Sequence, residues 1–236
     1  MNALKQSKSG VLDTLDKKGE PIIFDNAPVI LEWHKVDNYE TFSRLAKQTL
    51  PVTAEAFANE VRDFVLDDKF HVRPEYAKLI EKLPKEVNAG MNAHIAATCC
   101  DDRSKRVEAT LQAWKQEYEC LWTKFSACNP VFVIAKNKDT QKVWGWASFI
   151  CAHPELSQGH VYLDILAVAP ETQKRGLARA LVFSILKIMP ETTHIILDTR
   201  IWNISAQKVY ENLGFNKIDS FSKNPTYVGF RYVAKK

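Results

Sequence analysis

The chain has 236 residues, 46% of them hydrophobic and 25% charged, which excludes a disordered or fibrous chain and suits a domain with a full core. Its net charge of +4 and pI near 8.7 fall short of a nucleic-acid binder's basic face, so no nucleic acid is expected as a partner. The first residues lack a signal-like apolar run and no stretch approaches the ~18 apolar residues of a membrane span, so no membrane partner and a cytoplasmic location are expected.

Residues 1–27 are polar, with Gly10, Gly19 and Pro21 as breakers, and read as an N-terminal arm ahead of a domain over 28–236. Val29–Val36 has strand character. Between Tyr39 and about residue 128 the spacing turns helical. Phe42, Leu45, Ala46 and Leu50 form a first stripe that Pro51 is expected to end. Phe57, Val61, Phe64 and Val65 form a second, and Tyr76, Leu79, Ile80 and Leu83 a third, closed by Pro84. Val107, Leu111, Trp114, Tyr118 and Leu121 form the fourth. Such stripes are what any packed helix presents to a core.

After Pro130 strands and helices alternate. Val131–Ala135 and Val143–Ile150 flank a turn at Asn137, Lys138 and Asp139, and so read as a hairpin. Strands follow at Val161–Val168 and His194–Thr199, with a helix from about Gly176 to Met189 between them. A helix over Ile204–Leu213 and strands near Phe215–Ser220 and Thr226–Val233 complete an α/β chain with a mixed sheet. Cys99, Cys100, Cys120, Cys128 and Cys151 are odd in number and lack C-x-x-C spacing, so they read as free thiols. The histidines are scattered and no metal is expected.

The stretch from Asp164 to Leu181 carries the chemistry. A strand runs into a short loop, and the loop opens a strongly apolar helix whose first amides lack intrahelical partners. With the helix dipole they form an anion site. Gly176 lets backbone approach a ligand closely, Ala178 keeps the next turn small, and Lys174, Arg175 and Arg179 add positive charge. A pyrophosphate suits this place, although a solvated basic turn reads similarly when taken alone.

The segment resembles the acyl-CoA signature of the GNAT superfamily of N-acetyltransferases, Q/R-x-x-G-x-G/A after a strand ending apolar-Ala-Val-x-Pro. Gln173, Gly176 and Ala178 fill its fixed positions, with Ala in place of the second Gly. Downstream, Asn203–Phe215 looks like the family's N-x-x-A-x-x-x-Y-x-x-x-G-F element. There Ala206, Val209, Tyr210 and Leu213 share helical spacing, Asn203 or Ser205 can cap the start, and Gly214 can follow the end. The resemblance is strong over 130–236 and weak from Tyr39 to Asn129, where 39–128 is longer than the family's usual two helices.

The resemblance implies a mixed, mostly antiparallel sheet flanked by helices, with an acyl-CoA-binding core at 130–236. It implies acetyl-CoA as co-substrate and an amine acceptor, either a small molecule or a protein or peptide. Family members often form homodimers. The loop residues Gln173, Lys174, Arg175, Gly176, Leu177, Ala178 and Arg179 would bind pyrophosphate, and the edge at Leu166, Ala167 and Val168 would pair with pantetheine. Asn203 would bind the pantetheine arm or position its helix.

Tyr210 is the implied general acid and Asp164 the implied base, because relatives place a base three or five residues before the strand's Ala. Tyr162, Asp164 and Leu166 are expected to share one face of the strand. An aspartate that only positions substrate or pairs with a cation fits the same place, with Glu32 and Glu40 as other candidate bases. A non-catalytic acyl-CoA sensor and a protein-interaction module built on Trp114 and Trp122 are the rival readings.

Overall fold

The apolar alternation of the C-terminal half resolves into one sheet in a computed structural model, which describes residues 8–235. The strands are β1 (Ser9–Asp13), β2 (Ile23–Phe24), β3 (Ala27–Lys35), β4 (Val131–Asn137), β5 (Val143–Ile150), β6 (His160–Val168), β7 (His194–Arg200), β8 (Asn216–Ile218) and β9 (Tyr227–Val233). They lie in the order β1-β3-β4-β5-β6-β7-β9-β8, with β2 also paired to β3. Every pairing is antiparallel except β6 with β7. The fold is therefore the mixed, mostly antiparallel α/β arrangement anticipated. Residues 1–7 of the 1–27 segment, and Lys236, lie outside the described residues.

The rest of that segment is built into the sheet. Gly10 sits opposite Trp33, and a Cβ on it would come within 2.7 Å of Trp33 Nε1, so glycine lets β1 lie flat against the indole. Ile22 and Phe24 are buried in the main core.

The helical segment departs from its predicted boundaries. The first helix, α1 (Tyr39–Phe57), runs through Pro51 instead of ending there. Pro51 forfeits one backbone bond, but Val52, Thr53 and Ala54 beyond it are buried against the sheet, and Thr49 and Thr53 hydroxyls bond to carbonyls four residues back. The second stripe becomes a short π-helical turn at Val61–Val65. After α2 (Pro74–Ile80) comes a helix the sequence reading missed, α3 (Lys85–Thr98), and then α4 (Arg103–Phe125). The fourth stripe packs on α1: Trp114 stacks on Phe57 at 5.6 Å, Tyr118 lies against Phe42, and Trp122 lies 5.3 Å from Phe42. Those indoles are engaged inside the protein. The side chains of Cys120 and Leu121 are outside the described set.

The helices cover both sides of the sheet. Trp146 Nε1 donates to Thr53 Oγ1, which puts α1 on one side. The next helix, α5 (Leu177–Ile188), lies on the other, where Leu181 sits beside Gly145. Phe215 and Tyr210 of the following stretch, which includes α6 (Ile204–Asn212), pack with Phe230 and Tyr232 of β9. Among the described residues no helix is long and apolar enough to cross a membrane. None of the described cysteines forms a disulfide, and burial pushes the Cys151 thiol up to about 12, which keeps it protonated.

Candidate active site

The site begins where two strands part. β6 and β7 are nine and seven residues long, yet they pair only at His160–Tyr162 with His194–Ile196. Beyond that point they diverge into a fork. The Ala169 N–H bonds to Trp144 O of β5, so by strand alternation the N–H groups of Val168 and Leu166 point away from β5 and into the fork. An extended ligand arm can add to this edge by backbone bonds alone.

The loop that closes the fork is shaped by backbone conformation. A 3₁₀ turn at Pro170–Thr172 precedes Gln173, whose Nε2 donates to Val168 O at 3.2 Å. Lys174 (φ 62°) and Gly176 (φ 88°) are both left-handed, and Gly176 is the N-cap of α5. The cap makes no side-chain bond, so the leading amides of α5 are open to an anion. Leu177 is buried and can offer only its backbone, while Ala178 is half-buried. Arg175 lies over the Phe24 ring and Arg179 over Phe183, each at 5.0 Å, which holds two exposed guanidinium groups around the loop. A doubly charged phosphate group fits this chemistry.

Asp164 owes its orientation to a bulge. Ser148 faces Ile165 and Phe149 faces Leu163, so Asp164 is an extra residue in β6. The Ser148 hydroxyl donates to Asp164 Oδ2 at 3.2 Å. Ser148 shares the α1 side with Trp146, so Asp164 lies there too. Leu166 faces Ala147 and lies on the α5 side, which corrects the expectation that it shares a face with Asp164 and Tyr162. The bulge shifts the alternation by one.

Tyr210 lies on α6 and packs against β9. Its ring packs 5.8 Å from Phe215 and 5.7 Å from Phe230. Burial, reinforced by the charge of Glu60, raises its phenol above the ordinary range, so it stays protonated at neutral pH. Asn203 caps α6, its Oδ1 accepting from Ala206 N at 3.0 Å, which is the helix-positioning alternative for this residue. Val209 is exposed and leaves the predicted face. Gln207 replaces it, donating to the carbonyls of Arg200 and Ile201.

The residue the sequence reading missed is Glu60, just ahead of the π-helical turn. It accepts from Trp202 Nε1 at 3.3 Å. Arg200 lies over both the Trp202 and Tyr227 rings, at 5.4 and 4.1 Å. Glu60 keeps some exposed surface but sits deep in the protein. Burial raises its pKa, and the Arg200 charge and the Trp202 bond only partly offset this. Nothing in local spacing marks it, because the turn that carries it is placed by the packing of Val61, Val65 and Leu66 with Trp202. The fallback bases fare differently: Glu32 is bonded to Lys136 and His34, and Glu40 is exposed in the first turn of α1.

A raised carboxylate pKa favours the uncharged form in the fold. Its contribution to stability is complete below the ordinary carboxylate range and is lost as pH rises through the folded value. Glu60→Gln, which keeps an oxygen for Trp202, should therefore raise stability at about pH 8 and have little effect at about pH 4. Urea unfolding at the two pH values checks this; a loss of stability at the higher pH would mean that the Arg200 charge outweighs burial.

The sequence pattern of the acetyltransferase (GNAT) family matches residues 96–215, just over half of the chain. No curated protein sequence matches it. Among solved structures, the chain is similar to a PaiA N-acetyltransferase from Thermoplasma acidophilum in complex with coenzyme A. That alignment covers 86% of this chain and 99% of the other, at 15% identity and a TM-score of 0.48. An acetyltransferase from Thermus thermophilus aligns over 91% of this chain and all of its own, at 13% identity and a TM-score of 0.49. A GNAT-family acetyltransferase from Staphylococcus aureus covers 87% and 99%, at 15% identity and 0.47.

Proposed function

We propose that this chain, which belongs to the acetyltransferase (GNAT) family, transfers an acetyl group from acetyl-CoA to a primary amine by direct attack. The observation that carries this reading is the fork between β6 and β7, with an open backbone edge leading to the unpartnered first amides of α5. Acetyl-CoA supplies the activated acyl carbon. The edge at Leu166–Val168 and the loop from Gln173 to Arg179 would hold it, with Asn203 fixing the helix that presents Tyr210.

The residues then divide the proton traffic. An alkylamine with a pKa near 10.4 is only about 0.1% neutral near pH 7.4, a deficit of roughly 4 kcal/mol, so a base is useful. Asp164 would draw the proton from the ammonium, directly or through water. As the nitrogen–carbon bond forms and the carbon–sulfur bond breaks, Tyr210 would give its proton to sulfur and recover one from the new amide nitrogen. The proton on Asp164 leaves to solvent, and the reaction balances.

Asp164→Asn is expected to lower kcat/KM about 10²-fold or more and to flatten the acid limb of the pH–rate profile, read from CoA release with an amine in excess. One observation favours a second proton route. The charge that acts on the Tyr210 phenol is that of Glu60, while Asp164 lies across the sheet. A pH profile unmoved by Asp164→Asn would transfer the base role to Glu60.

A further inference from the structure

Next to Asp164, on the same side of the sheet, a pocket of about 430 Å³ is lined by Ile150, His153, Glu155, Leu156, Tyr162 and the loop Phe221–Lys223. That volume falls in the range of small-molecule sites, roughly 300–1,000 Å³. Ile150 and Tyr162 are paired across β5 and β6, and Tyr162 is two residues from Asp164, roughly 7 Å along the strand. Three rings meet in its wall: Phe221 lies 5.3 Å from Tyr162 and 5.9 Å from His153.

The wall is held in place from below. The Asp198 carboxylate accepts from Ser220 Oγ, Phe221 N and Ser222 N at 3.0, 2.9 and 2.8 Å, clamping the loop that carries Phe221 over Tyr162. Asp198 is thus committed to the loop and does not itself line the pocket. At the pocket rim, Glu155 and Lys223 oppose each other in charge. A polycation would meet the lysine and only one carboxylate, whereas a flat ring would meet three aromatic partners.

We propose that this pocket is the acceptor site and that it takes a small primary amine carried on an aromatic ring, the ring against Tyr162 and Phe221 and the amine toward Asp164. This assignment rests on the acyltransferase reading above. Aromatic contacts of this kind discriminate by about tenfold beyond simple burial.

The test compares 2-phenylethylamine, n-hexylamine and 1,4-diaminobutane as acceptors for the full chain, with the thermal shift on adding acetyl-CoA measured alongside. The expected result is a kcat/KM for 2-phenylethylamine about tenfold or more above the other two. Phe221→Leu should erase that preference through KM, and Ser222→Trp, which fills the pocket from its rim, should do the same without removing a ring; both should keep the acetyl-CoA shift. Equal rates for the three amines, a preference for the diamine, or no turnover of 2-phenylethylamine while the acetyl-CoA shift is intact would overturn the pocket assignment alone. Loss of the acetyl-CoA shift in the unaltered chain would overturn the acyltransferase reading beneath it.

Discussion

Tyr210→Phe is expected to lower kcat roughly 10²–10⁴-fold while leaving acetyl-CoA binding nearly unchanged. The substitution removes one oxygen and keeps the ring, so the packing against Phe215 and Phe230 survives. Burial and the nearby Glu60 charge both favour the neutral phenol, which is the form an acid must have before it donates. The loss should therefore appear as a fall in kcat and kcat/KM together, the mark of an interaction made only as the reaction proceeds. Steady-state kinetics beside an acetyl-CoA thermal shift measures both quantities on one sample. Unchanged turnover would remove Tyr210 from the chemistry. A lost thermal shift would instead make it part of the binding surface.

The strands after Pro130 were legible because each is an apolar run bounded by turn residues, and β5 matches its predicted limits of Val143–Ile150. The loop at Gln173–Arg179, with its left-handed Gly176 opening α5, was legible for a related reason. Its glycine, its cations and the apolar helix behind it are contiguous, so local chemistry carries the message. What escaped was set by partners distant in the chain. Pro51 reads as a helix end, but burial of Val52 and Ala54 continues α1 past it. The bulge at Asp164 comes from pairing with β5, and only that pairing reveals that Leu166 faces away from Asp164. Glu60 lies 142 residues from Trp202, the indole that holds it. α3 buries Met91 and Ile95 among the described side chains, and its sequence spaces its larger apolar residues among Ala, Gly and Asn, so no stripe stands out.

These misses share a consequence for function. The donor side proposed above lies on one continuous segment, β6 through the start of α5. The acceptor pocket proposed above is assembled from the end of β5, the β5–β6 connection, β6 and the loop after β8, so its residue types carry no spacing pattern. A sequence pattern therefore points to acetyl-CoA and is silent on the amine, while the ring-lined pocket at Phe221 becomes visible only once the sheet is formed.

The donor side can be tested at one position. Gly176→Glu should abolish the thermal stabilisation by acetyl-CoA, which at 100 times the dissociation constant is about 2.7 kcal/mol, or roughly 5–10 °C in Tm for a chain of this size. Gly176 has φ 88°, a conformation that costs a side chain about 1–2 kcal/mol, but a Cβ there would meet only Ile22 Cδ1 at an ordinary 3.6 Å. The strain is therefore modest and the fold should tolerate the change. A carboxylate at the N-terminus of α5 also suits the helix dipole, and so occupies the field that a pyrophosphate would use. Gly176→Ala separates the two effects: it carries the backbone strain without the charge, and should keep most of the acetyl-CoA shift from a slightly lower starting Tm. If Gly176→Glu and Gly176→Ala lost the shift equally, backbone conformation alone would control binding. If Gly176→Glu kept the full shift, the loop would not be the phosphate cradle, and the exposed guanidinium groups of Arg175 and Arg179 would lack the ligand that their placement around α5 implies.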